Sequence, residues 1–188
     1  MDVIDVALRV ATALERAGVA YFLGGSLASS FQGEPRATND IDLVVDLSED
    51  RVDGLVSSLG PDFDVDPEAL RRAARGRGSW NIIYIPAVTK VDLFILQAGP
   101  YDQSEFARRR PVEVRPGQVL FLKSAEDTVI RKLLWYRSGG GVSERQWRDV
   151  VQVLRHSRAV LDPAYLDTWA ERLGLDGLLE RARQEAAT

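Results

Sequence analysis

The 188-residue chain has no cysteine, a single histidine, and no apolar run approaching the roughly 18 residues needed to span a bilayer. Without cysteine there is no disulfide framework, thiol nucleophile or thiolate zinc site, and the lone His156 rules out a multi-histidine metal centre. Basic residues do not dominate either: 24 Lys+Arg stand against 28 Asp+Glu, a formal net charge of −4. That balance argues against a protein that coats nucleic acid non-specifically, while leaving room for a local basic patch. The N-terminal Met1-Asp2-Val3-Ile4-Asp5 carries acids where a secretory signal carries basic residues, so the expected location is cytoplasmic, with no membrane partner. Chemistry is left to carboxylates, hydroxyls, lysines and arginines. What is present is 45% hydrophobic residues, enough for the core of one ordinary domain, and disordered and fibrous classes are excluded.

Val3, Val6, Ala7, Val10, Leu14 and Ala17 recur at helical spacing up to Gly18. A short strand at Val19–Leu23 runs into Gly24-Gly25-Ser26 and a helical stretch closed by Gly33 and Pro35. Asp40–Val45 reads as a second strand, and Ser48 as the N-cap of a helix reaching Leu59. A helix follows from Pro67, then strands at Trp80–Ile85 and Lys90–Leu96, and two weaker ones at Val112–Val114 and Val119–Leu122. From Lys123 the pattern turns helical, with caps at Ser124 and Ser143, a break at Gly139-Gly140-Gly141, and two closing helices opened by Pro163. The expectation is an α/β (α+β) domain over 1–122, a small mixed sheet flanked by helices, followed by a C-terminal helical region over 123–188.

The chemistry concentrates in Asn39-Asp40-Ile41-Asp42-Leu43-Val44-Val45. A strand's period of two turns Asp40 and Asp42 to one face, about 6–7 Å apart, and Ile41 and Leu43 to the core. Two adjacent carboxylates repel unless they are solvated, share a proton or hold cations, and hard oxygen ligands favour Mg²⁺. A third carboxylate, Asp92, projects opposite to Val91 and Leu93 on another strand. Three such aspartates could clamp two metals about 3.5–4 Å apart for an in-line phosphoryl displacement. Gly24-Gly25-Ser26, between strand and helix, lets backbone N–H groups approach a phosphate, although neither a Walker A loop nor a dinucleotide fingerprint is present.

Together, the strand, Gly24-Gly25-Ser26 and helix, then Arg36-Ala37-Thr38-Asn39-Asp40-Ile41-Asp42-Leu43, then Asp92, resemble the DNA polymerase β-like nucleotidyltransferase superfamily over about residues 19–95. Gly-Gly-Ser-Leu-Ala and Arg-x-Thr-x-Asp-Ile-Asp-Leu look most like the AbiEii-type group, toxins of bacterial toxin–antitoxin systems, some of which add nucleotides to the tRNA 3′ end. The resemblance implies a nucleotidyltransferase that moves an NMP from an NTP such as ATP to a hydroxyl. Mg²⁺, as one ion or two, would sit on Asp40, Asp42 and Asp92, with Asp92 as third ligand or base. Gly24, Gly25, Ser26 and Arg36 would hold the triphosphate, Lys123 would neutralise it, and Asp149 would match a later family aspartate. The implied partners are an NTP, a tRNA or protein acceptor, and a cognate antitoxin. A non-catalytic nucleotide- or partner-binding relative is the alternative.

Simpler readings stand beside these. Arg36 could pair with Asp40 or Asp42, and Lys90 shares the parity of Asp92 and reads first as its ion-pair neighbour. Ser26 could be a plain N-cap, and the arginine clusters at 71–77 and 108–110 solvated faces. Trp135, Trp147 and Trp169 fall at apolar helical positions and are expected in the core.

Overall fold

The computed structural model describes residues 2–35 and 37–187. The elements run α1 (Val3–Arg16), β1 (Tyr21–Leu23), α2 (Gly25–Gln32), β2 (Ile41–Val45), α3 (Val52–Leu59), β3 (Phe63–Asp64), α4 (Pro67–Gly76), β4 (Ser79–Tyr84) and β5 (Thr89–Ile95). They continue with α5 (Pro100–Ala107), β6 (Arg110–Arg115), β7 (Gln118–Leu122), α6 (Ala125–Ser138), α7 (Glu144–His156), α8 (Pro163–Leu173) and α9 (Asp176–Ala187). Described residues of 1–27 and 37–123 form one compact unit, and those of 28–36 and 124–188 form a second. Lys123 thus falls with the sheet, and the segment from Ala28 with the C-terminal helices. Among the described residues no helix is long and apolar enough to cross a membrane.

The first unit is a seven-stranded mixed sheet in the order β3-β4-β5-β2-β1-β7-β6. β2 runs parallel to β5 and antiparallel to β1, and β4 is antiparallel to β5. Alternation along the strands buries Ile41, Leu43 and Val45 with Ile82, Val91 and Leu93 on one face. Helix α1 is started by a capping box: the Asp2 carboxylate accepts from the backbone N–H of Ile4 and Asp5, and the Asp5 carboxylate accepts from Asp2 N–H. Its Val6, Ala7, Val10 and Leu14 stripe is wholly buried, and α1 packs on α3, β5 and β7. On the opposite face Phe106 of α5 joins Phe22, Leu96 and the partly buried Val44. That cluster covers the Val44 end of the face, whereas Asp42 and Asp92 stay partly exposed.

Several expectations need correction. Ser48 precedes a short 3₁₀ turn (Glu49–Arg51) and its side chain caps no backbone N–H, so α3 starts only at Val52. Ser26 lies inside the first turn of α2 rather than at its cap. Strand β3 and helix α5 are additional elements. Val88, in the turn between β4 and β5, has left-handed backbone angles (φ 49°, ψ 41°) and is 83% exposed. A β-branched residue is strained there and gains no packing in return. Val88→Asn is therefore expected to stabilise the protein by about 1 kcal/mol, raising Tm by about 2–4 °C; a lower Tm in calorimetry would contradict this.

The second unit packs α6 on α7 and α8, and α9 on α7 and α8, around Val129, Leu133, Val150, Val153, Leu166 and Leu179. At the start of α6 the Ser124 hydroxyl accepts from Asp127 N–H and donates to the buried Asp127 carboxylate, which also accepts from the Tyr165 hydroxyl at 2.7 Å. Trp169 is buried as expected, but Trp135 is 44% exposed. Trp147 lies under the Arg181 guanidinium, 3.7 Å from its ring centre, and donates from Nε1 to Glu185.

Candidate active site

The strand register assembles the carboxylates. Asp42 of β2 is the direct partner of Asp92 on parallel β5, and both project away from the buried Leu43 and Leu93. Asp40, exposed just before β2, lies near enough to act electrostatically on Asp42. Beside them the chain leaves β1: the N–H of Gly24 donates to the Asp42 carbonyl at 2.8 Å, and Gly25 opens α2 with φ +58°. A Cβ on Gly25 would sit 1.8 Å from Asp42 Oδ2, so the carboxylate lies directly against the bare Cα. Gly25→Ala would bring left-handed strain of about 1–2 kcal/mol. It would also displace the Asp42 carboxylate, and is expected to lower Tm and remove any stabilisation by Mg²⁺·ATP. A variant that keeps both would refute the close packing.

Burial, then the negative charges of Asp92 and Asp40, raise the pKa of Asp42, against the opposing pull of Lys123 and Lys90. Lys90 is an ion-pair neighbour, Nζ to Asp92 Oδ2 2.7 Å, and its ammonium is held above its ordinary pKa chiefly by that bond. Lys123, at the end of β7, is 2% exposed, with Nζ 3.6 Å from Oε1 of the equally buried Glu105. Gly24, Gly25, Asp42, Asp92 and Lys123 are thus brought together in the first unit, with the half-buried Ser26 next in the chain and Asp40 at the rim.

Asp149 belongs to the second unit, where its carboxylate is 2.7 Å from Nζ of Lys132, a lysine 1% exposed that also donates to Gln146 at 3.2 Å. Arg36 lies outside the described residues. Glu105 and Lys132 were missed by sequence reasoning. Lys132 left a usable signal, being three residues after Val129 and four before Tyr136 on the buried stripe of α6. Glu105 left little, because α5 has no regular apolar stripe.

As a donor set the three aspartates suit a hard divalent cation: all oxygen, with Asp42 pressed by neighbouring like charge. Among the described residues, however, no three His, Asp or Glu side chains already converge on one metal position, and Lys90 bonds to Asp92.

No family model and no curated protein sequence matches the chain. Among solved structures, an antigenic nucleotidyltransferase-like protein from Paracoccidioides brasiliensis aligns with a TM-score of 0.63 at 19% identity, over 98% of this chain and 93% of its own. The solution structure of the antibiotic-resistance factor ANT(2'')-Ia aligns with a TM-score of 0.54 at 17% identity, over 98% and 99%. The crystal structure of ANT(2'')-Ia with adenylyl-2''-tobramycin aligns with a TM-score of 0.55 at 12% identity, over 90% and 95%. This chain therefore has the fold of nucleotidyltransferase-like proteins along nearly its whole length.

Proposed function

We propose that this protein is a nucleotidyltransferase that moves a nucleoside monophosphate from an NTP to a hydroxyl acceptor and releases pyrophosphate. The observation that carries this reading is the pairing of Asp42 with Asp92 at one level of parallel strands, against the Gly24-Gly25 turn. Asp40, Asp42 and Asp92 would hold Mg²⁺, which supplies charge neutralisation of the triphosphate. The turn at Gly24 and Gly25 seats the Asp42 carboxylate at the start of α2, and Ser26, with Arg36 on the sequence resemblance alone, would contact the triphosphate. Lys123 adds fixed positive charge from beneath, and Asp92 accepts the acceptor's proton. Asp149, tied to Lys132, is assigned to nucleotide binding only on the sequence resemblance.

Two acceptors have support. The AbiEii-type resemblance points to a tRNA 3′ end and to a toxin held by an antitoxin. The likeness to ANT(2'')-Ia with adenylyl-2''-tobramycin points to a sugar hydroxyl. The test incubates the protein with Mg²⁺ and each α-labelled NTP, offering total tRNA, bulk protein, tobramycin or buffer alone, beside an Asp40→Ala/Asp42→Ala variant. Label entering one acceptor only with the intact aspartates is the expected result. NTP binding without transfer to any of them would favour the non-catalytic alternative, and absence of both would overturn the proposal.

A further inference from the structure

Strand β4 extends the carboxylate row on the side of Asp92 away from the Gly24-Gly25 turn. Asn81 is the direct antiparallel partner of Asp92, and directly opposed residues of such a pair project to the same face. Asp92 in turn partners Asp42. Asn81, Asp92 and Asp42 therefore form one row across three neighbouring strands, closed at its far end by the Cα of Gly25. The next row along the same face is Ser79, Phe94 and Val44. Its members differ in surroundings: Val44 is packed into the Phe22–Phe106 cluster, whereas Phe94 is 41% exposed and Ser79 and Asn81 are exposed.

The two ends of the site are thus chemically unlike. At the Gly25 end the Asp42 carboxylate lies against the glycine Cα at the start of α2, where a metal-bound triphosphate would sit. At the β4 end there is an open aromatic ring with a hydroxyl and a carboxamide on the adjacent strand, suited to a ring that has one apolar face and several hydroxyls. The charge of the row narrows the choice further. Lys90 offsets Asp92, while Asp40 and Asp42 keep this face acidic, which favours a cationic acceptor.

We propose that the acceptor lies across the β4–β5 face, that Phe94 and Asn81 select and orient it, and that it is a polyhydroxylated amino-sugar. This inference rests on the nucleotidyl-transfer reading for its chemistry. The acceptor oxygen forms a bond to the α-phosphorus, the bond to the β-phosphate oxygen breaks, pyrophosphate leaves with that electron pair, and the hydroxyl proton passes to Asp92. Phe94 and Asn81 act as acceptor-positioning residues.

Two measurements on the full chain test it, with tobramycin and total tRNA as probes. In the ¹⁵N-labelled protein, tobramycin is expected to shift the Asn81 side-chain amide and the backbone amides of Asp92 and Phe94. In the transfer assay, Asn81→Ala and Phe94→Ala are each expected to raise the KM for tobramycin about 10-fold, with the KM for ATP and the thermal shift given by Mg²⁺·ATP unchanged. Both side chains are exposed, so neither variant should compromise folding. The proposal is overturned if tobramycin leaves those signals in place, if only tRNA moves them, or if the KM for tobramycin is unaffected or rises in step with that for ATP. Failure of Mg²⁺·ATP to stabilise the wild-type protein would strike the nucleotidyl-transfer reading separately, whereas shifts at Asn81 and Phe94 in that same protein would uphold the sugar-binding face.

Discussion

Replacing Lys132 by methionine is expected to cost about 3–5 kcal/mol, because the largely buried Asp149 carboxylate loses its ammonium partner at 2.7 Å. In a chain of this size that corresponds to a fall in Tm of about 6–20 °C. Lys132 is 1% exposed and Asp149 11%, so water replaces the missing ammonium only in part, and Gln146 also loses its donor. The double variant Lys132→Met/Asp149→Leu is expected to regain most of the loss, since a hydrophobic pair in place of a buried salt bridge is often neutral or stabilising. Thermal unfolding of the two variants checks this, and a loss below about 1 kcal/mol in the single variant would show that the pair contributes little. The double variant also tests the sequence assignment of Asp149. If it is stable yet no longer binds an NTP, Asp149 has a role beyond holding Lys132.

Asp42→Asn is expected to reduce transfer by about 1,000-fold or more, while making the ligand-free protein more stable. The two effects share one origin. Burial and the charges of Asp92 and Asp40 raise the pKa of Asp42, so the folded protein binds this proton more tightly than the unfolded chain does. Stability therefore falls as pH rises from the ordinary carboxylate pKa through the raised one, and the full penalty is present above it. Asparagine keeps the shape and removes the charge, so the stability difference between variant and wild type should open as pH rises through that window. Mg²⁺·ATP should reverse the order at neutral pH by stabilising the wild type alone. Equal stability of the two proteins at every pH, without ligand, would refute the electrostatic account.

Much of this site was legible because it depends on local rules. The parity of Asp40 and Asp42 against Ile41 and Leu43 follows from the pleat, and Gly24-Gly25 marks a place where the backbone must come close to something. What it comes close to, the Asp42 carboxylate, is a long-range fact. The partnership of Asn81 with Asp92 likewise depends on register, which no single strand encodes. Helix α5 was invisible because its buried Tyr101 and Phe106 are five residues apart, off the helical period, and with it went the burial of Glu105 against Lys123. Strand β3 has two residues, too few for any alternation to register. Trp135 departs from the expectation because apolar character does not require burial, a rule that runs in one direction only.

The second unit is discontinuous in the chain, and this bears on how such a protein can be shortened or recombined. Residues from 28 onward enter its hydrogen bonding: the Thr128 hydroxyl donates to Gln32 Oε1 at 2.5 Å, the Ser157 hydroxyl to the Gln32 carbonyl at 3.0 Å, and Arg148 pairs with Glu34 at 2.6 Å. A fragment cut at residue 124 would lose all three of these interactions, so the C-terminal helices are not a module that a gene fusion could append or discard. Inheritance of a new C-terminal region would have to carry a matching stretch between β1 and β2, the same few residues that lead from the glycine turn to the first aspartate.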